Sequence, residues 1–320
     1  MPLRAPFQNA LVLTGPTGSG KTGLGLKLAR RLNAEIISMD SMALYRGMDV
    51  GTAKPTTAER QLVPHHLIDV LEPAESASAA WWLGRAAACC REIASRGRQV
   101  LVVGGTPLYL KALLYGLFDG PPADADRRSR LNAAAQEFGP AALHARLAHV
   151  DPETAARLHP NDVRRVVRAL EVWELTGRPM SRWQVQWRAA EGPPPTDLHP
   201  PGTDRPPVLW LNLPREELYA RINARVERMV AEGFVNEVRT LRGLAGGLSR
   251  EAAQALGYRE VFDHLDGKAT LDETVSRIQR RTRHFAKRQL TWFRREAGVE
   301  WIEGFGKDPQ VQERVLSLLC

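Results

Sequence analysis

The chain has 320 residues and a mass of 35.6 kDa, long enough for two packed domains and too long to depend on disulfide staples. At 43% apolar and 25% charged it has the make-up of a soluble globular protein, which excludes disorder throughout. Its formal charge of +8 points to a polyanionic partner, and the absence of any run of roughly 18 or more apolar residues excludes a helical membrane span.

No apolar signal core precedes Asn9, and Cys89, Cys90 and Cys320 show neither zinc spacing nor a ready disulfide pair. A reducing compartment, the cytoplasm, is expected. Ala10-Leu11-Val12-Leu13 reads as a buried strand that enters a glycine-rich turn and then a helix from about 21 to 32. Further strands are expected over 35–38, 66–70 and 99–103, with an alanine-rich helix over 78–96. Strands alternating with helices predict a parallel α/β sheet wound on both faces, with its ligand outside the carboxyl ends of the strands.

From Arg127 to about Arg188 only helical signals occur, with Asp151-Pro152 and Asn161 as helix starts. Seven prolines between Gly192 and Pro207 then exclude a helix or central strand. A strand over 208–212 returns to the sheet, and helical signals continue almost to Glu296. Eight basic residues and no acidic one lie between Arg277 and Arg295, the footprint of a phosphate-backbone contact. A solvated basic helix face is the plainer alternative.

Gly15-Pro16-Thr17-Gly18-Ser19-Gly20-Lys21-Thr22 fits G-x-x-x-x-G-K-[ST] without mismatch and sits between a predicted strand and helix. Such a P-loop, the nucleotide-binding loop of ATP-binding proteins, turns backbone amides inward around phosphate. Lys21 adds a point charge, and the Thr22 hydroxyl can hold Mg²⁺. The expected organisation is a P-loop NTPase-like core over 1–119, a helical insertion over 120–200, and a return strand with C-terminal helices over 201–320. A standard Walker B acid is missing: the 99–103 strand ends in Gly104-Gly105-Thr106, while Asp40 and Asp69 end other strands. That pattern suits a reaction needing a phosphate cradle and no hydrolytic water.

These residues resemble the bacterial tRNA dimethylallyltransferase (tRNA isopentenyltransferase) family. The resemblance runs through the P-loop, Asp40-Ser41, Tyr45-Arg46-Gly47-Met48-Asp49-Val50-Gly51-Thr52-Ala53-Lys54-Pro55, Pro64-His65-His66-Leu67-Ile68-Asp69 and Gly104-Gly105-Thr106-Pro107. It continues in His159-Pro160-Asn161-Asp162, Gly257-Tyr258-Arg259 and Lys287-Arg288-Gln289-x-Thr291-Trp292, covering about residues 10–295. No zinc-finger extension like that of eukaryotic members follows, which points to the bacterial type.

The resemblance implies transfer of the dimethylallyl group of dimethylallyl diphosphate to N6 of adenosine 37 beside the tRNA anticodon, with Mg²⁺; a protein that clasps one tRNA needs no second subunit, so a monomer is expected. It also implies Asp40 as catalytic base, with a helix cap as the alternative reading. Thr106 would offer a hydroxyl to the base edge or cap the next helix, and Lys21 and Arg215 would hold the diphosphate. For tRNA contact it implies Asp40, Ser41, Met42 and Ala43, Thr106, Arg128, the run Arg164, Arg165, Val166, Val167, Arg168, then Arg259, Arg283, Lys287 and Arg288. Helical spacing puts Arg164 and Arg168 on one face, and predicts an apolar stripe of Val275, Ile278, Phe285 and Trp292 under the basic residues. Two departures stand out: Ala77 where the family carries an aromatic residue, and apolar Met42-Ala43-Leu44 where many members are polar.

A nucleoside-monophosphate-type kinase shares the P-loop and a helical lid but has no need of the basic segment over 277–295. An RNA-stimulated ATPase would want the missing Walker B acid.

Overall fold

The structure, a computed structural model, describes residues 7–118, 120–184, 205–294, 296 and 298–319. Six strands form one all-parallel sheet: β1 (Ala10–Thr14), β2 (Ala34–Met39), β3 (His65–His66), β4 (Gln99–Gly104), β5 (Val208–Asn212) and β6 (Val299–Glu303). Their order is β3-β2-β4-β1-β5-β6. Because helices cover both faces, the central strands are near-continuous apolar runs, and every residue of β1 and β2 is buried. Leu11, Leu13, Leu24, Leu28, Leu101, Leu209 and Leu211 pack into one core around them.

The chain forms two compact units, Met1–Leu114 with Pro193–Cys320, and Tyr115–Gly192. Among its described residues the second holds helices and no strand: Ala125–Glu137, Pro140–Val150, Pro152–Arg157, Val163–Thr176 and Met180–Trp183 surround a core of their own that includes Leu131, Leu143, Leu147, Val166, Val167 and Leu170. Asp151 caps the helix Pro152–Arg157 as expected, its Oδ1 accepting from Thr154 N at 3.1 Å. The next helix is capped by Asp162 and not by Asn161, through a bond from Arg165 N. Most of the proline-rich segment lies outside the described residues.

Two expectations need correction. The strand read over 66–70 is only His65–His66, because Leu67 and Asp69 turn to φ of 59° and 56° and leave the ladder. Beyond Glu296, where the expected helical signals end, the chain adds β6 and the closing helix Pro309–Leu319. β6 adds to the edge of the sheet and only Ile302 of it is buried, so it carries a weak apolar signal.

Candidate active site

The carboxyl ends of β1, β4 and β2, neighbours in the sheet, each lead into a loop with chemistry in it. After β1 comes the phosphate loop. It ends at Gly20, which has φ +88° and opens the helix Lys21–Arg31. A side chain at Gly20 would meet Phe305 at 2.7 Å, so glycine is required there on both counts. Lys21 Nζ donates to Gly15 O at 2.9 Å and Pro16 O at 2.7 Å, spanning the loop it should share with an anion. Burial pushes its ammonium down to about 7; nearby Arg225 acts in the same direction and Asp40 opposes.

The Ser19 hydroxyl is buried without a hydrogen-bond partner. The half-buried Thr22 makes no side-chain bond to a described residue. Among the described residues no group of three His, Cys, Asp or Glu side chains could hold a metal. Such a donor set fits a hard cation that takes most of its ligands from phosphate oxygens and water.

Asp40 and Thr106 meet because β2 and β4 pair Met39 with Gly104. Thr106 N donates to Met39 O at 3.2 Å, and Ser41 N donates to Thr106 Oγ1 at 3.1 Å. The hydroxyl thus binds the loop beside Asp40 instead of capping its own helix, and its proton stays available to donate. Asp40 caps no helix either: its Oδ1 accepts from Met42 N at 2.9 Å in a tight turn. Its Oδ2 has no partner among the described residues, as a proton acceptor requires. Trp82 stacks on Tyr109 at 4.5 Å and donates to Ser38 O, giving the end of β2 an aromatic neighbour. Burial raises the Tyr109 phenol, with Tyr45 and Asp40 adding to the shift, which keeps it neutral.

Asp69, expected at a strand end, lies in the turn after β3 and is taken up structurally by Lys54 at 2.5 Å and Arg60 at 2.6 Å. Nor is the diagnostic Asp49-Val50-Gly51 stretch chemical. Its three amides donate to the Glu237 carboxylate at 2.8, 2.7 and 3.1 Å, and Tyr258 donates to the same group.

Three arginines on the helix Arg215–Ala231 differ in their surroundings. Arg215, at the first turn of the helix Arg215–Ala231, is exposed with its guanidinium 5.1 Å from the Tyr219 ring centroid. Arg221 stacks on Phe305 at 3.5 Å and pairs with Glu217. Arg225, one turn further, was not singled out in the sequence. Its Nε is buried with no partner, and its charge acts on both Lys21 and Asp40. Burial lowers the guanidinium from its ordinary value, while Asp40 pulls it back. Arg225 is half-buried and has no ion pair among the described residues, a cation that a phosphate site leaves open. Helical spacing gave no signal for this: at about 100° per residue Arg215 falls within the arc of the buried Leu218, Ile222 and Val226, and Arg225 just outside it.

The expected tRNA residues divide. In the helical unit, Arg164 and Arg165 are exposed, but Val166 and Val167 are 0% and 3% exposed and belong to the core, so they offer no side chain to RNA. Arg128 and Arg168 are drawn inward to the buried Glu171, at 2.9 and 2.6 Å, and Arg168 also donates to Pro121 O. Arg168 therefore does not share a free face with Arg164. In the other unit Ala43 is buried, whereas Ser41 and Met42 are half-buried and Arg259 is exposed. On the helix Leu271–Phe293, Arg283 donates to Asn223 at 2.6 Å, while Lys287 and Arg288 are exposed and line a shallow surface depression with His284, Thr291 and Trp292. The buried stripe beneath is Thr274, Ile278, Ala286, Gln289 and Phe293; of the predicted stripe only Ile278 is fully covered.

Sheet, phosphate loop and the carboxylate beside it define a P-loop-type α/β group-transfer enzyme. Family models described as IPP transferase and isopentenyl transferase match residues 43–296 and 8–69. The chain is 47% identical to the tRNA dimethylallyltransferase of Syntrophobacter fumaroxidans over 92% of its own length and 83% of that protein. It is 45% identical to the tRNA dimethylallyltransferase of Geobacter metallireducens over 96% of both chains. The crystal structure of the Bacillus halodurans tRNA isopentenylpyrophosphate transferase matches with a TM-score of 0.67 at 40% identity, covering 98% of this chain and 97% of that one. The chain belongs to the tRNA dimethylallyltransferase family, and it is a prenyltransferase. Among the described residues no helix is long and apolar enough to cross a membrane.

Proposed function

We propose that the enzyme transfers the dimethylallyl group from dimethylallyl diphosphate to N6 of adenosine 37, next to the tRNA anticodon, and releases diphosphate. The observation that carries this reading is Asp40, with one carboxylate oxygen unengaged, set among the cations Lys21 and Arg225 at the mouth of the phosphate loop. Lys21, Arg225 and the loop amides stabilise the negative charge that grows on the diphosphate as the C–O bond breaks. Asp40 takes the proton from the adenine amine as its nitrogen attacks the allylic carbon. The Thr106 hydroxyl, fixed by Ser41 N, donates to the base edge and holds the amine in line. Thr22 would hold Mg²⁺ through its hydroxyl, and that ion supplies further charge neutralisation on the phosphate oxygens. In this reading ATP is not cleaved, a single chain is the working unit, and the cytoplasm is its compartment. Incubation with labelled dimethylallyl diphosphate and tRNA, followed by nucleoside analysis, should place the label on the adenosine 3′ of the anticodon. Label on another nucleoside, or ATP-dependent phosphoryl transfer in its place, would overturn the assignment.

A further inference from the structure

The side chain of Gln289 is 3% exposed on the helix Leu271–Phe293 and bridges two loops far from it in sequence. Its Oε1 accepts from Thr17 N in the phosphate loop at 3.1 Å, and its Nε2 donates to Gly105 O at 2.7 Å. A methyl group at Gly105 would lie 2.6 Å from Nε2, so the approach depends on glycine there. On one side, Thr17 belongs to the phosphate loop. On the other, Gly105 precedes Thr106, whose hydroxyl holds Ser41 N beside Asp40. One primary amide therefore spans the route from phosphate cradle to base. Only a group that accepts at one end and donates at the other fits both loops.

We propose that Gln289 is a positioning residue that keeps the phosphate loop in register with the Asp40–Thr106 turn; it touches no reacting atom. The inference rests on the reading of function above. Loss of the amide lets the two loops drift independently, and misplacement by about 1 Å is enough to slow an in-line transfer by about a hundredfold. Binding to either loop alone needs no such register.

The test uses the full-length Gln289→Ala and Gln289→Glu variants. For Gln289→Ala we expect the single-turnover rate to fall by about tenfold to a hundredfold, with the Kd values for tRNA and inorganic diphosphate within about threefold of wild type. Glutamate keeps the acceptor for Thr17 N but sets a carboxylate against the Gly105 carbonyl. A buried carboxyl in that setting has a raised pKa, and its protonated form restores the donor. The rate of Gln289→Glu relative to wild type should then climb as pH falls from 8.5 to 6, a recovery that lost packing alone would not produce. Hydrogen exchange gives a readout independent of catalysis: in wild type, diphosphate should slow exchange both in the phosphate loop and at residues 105–106, but in Gln289→Ala only in the phosphate loop. A wild-type rate for Gln289→Ala, a loss matched by an equal loss of binding, or protection of both loops in the variant would overturn the proposal. Absence of transfer by the wild-type protein would instead sink the functional reading, and the exchange pattern would still decide the role of Gln289.

Discussion

Asp40 and Lys21 lie within electrostatic reach of each other but do different work. Asp40→Asn keeps the shape and the acceptor for Met42 N, so both substrates should bind normally. What it loses is the proton acceptor, and single-turnover transfer should fall by about 10²–10⁴. A rate near wild type would reduce Asp40 to a positioning residue. Lys21 makes a second prediction, about protons. In the free protein burial holds its ammonium at about 7, below the ordinary 10.5. A bound diphosphate favours the charged form and raises it again. Between those two values binding must take up a proton, so affinity falls as pH rises, by up to about tenfold per unit. Below about 7 the group is already charged and the dependence on it vanishes. Calorimetry in buffers of different ionisation enthalpy should detect this uptake, and Lys21→Met should abolish it.

At the scale of elements, the helix Val163–Thr176 shows why a basic run misleads. Glu171 is fully buried, and burial alone would raise its carboxyl. Bonds from Arg168, the Asp124 amide and Arg128 outweigh that and hold it below its usual value. Arg168→Gln should therefore cost about 1–3 kcal/mol of stability in denaturant unfolding, and Arg164→Gln almost nothing. Glu171 makes its full contribution above its unfolded value near 4.5 and loses it as pH falls through the depressed folded value. Charge in sequence does not say which arginine has an acid buried beneath it; a carboxylate at i+3 in a core position was the only local hint. By contrast, β1, the phosphate loop and the Lys21–Arg31 helix were legible, because a strand, glycines at positive φ (Gly18 and Gly20) and a helix start occur in consecutive residues. The pairing of Met39 with Gly104, which joins Asp40 to Thr106, is a long-range register that no local pattern encodes. Arg225 has no local signal for the same reason, since the charges it acts on, Lys21 and Asp40, lie about 200 and 185 residues away.

For the molecule as a whole, the basic stretch from Arg277 to Arg295 equals the entire formal excess of +8, yet the fold spends part of it internally. Arg281 pairs with Glu260, Arg277 approaches Asp263 at 4.0 Å, and Arg283 donates to Asn223. Arg280, Lys287, Arg288 and Arg294 remain exposed with no ion pair among the described residues, while Arg295 lies outside them. Counterion release counts only cations that reach phosphate, at about 0.7–0.9 in log–log salt slope for each. Gln substitution of those four together should lower the slope of tRNA binding by about 3, roughly half what the sequence count of eight would give. Binding of diphosphate to the phosphate loop should be little changed. Arg281→Gln is the contrasting case: it leaves Glu260 buried without its cation, so it should lower the unfolding midpoint while the salt slope stays near wild type. Filter-binding titrations between about 50 and 200 mM salt would distinguish these outcomes. A slope that drops as much for Arg281→Gln as for any one of the exposed four would mean that the RNA breaks the Glu260 pair and recruits the arginine to its backbone.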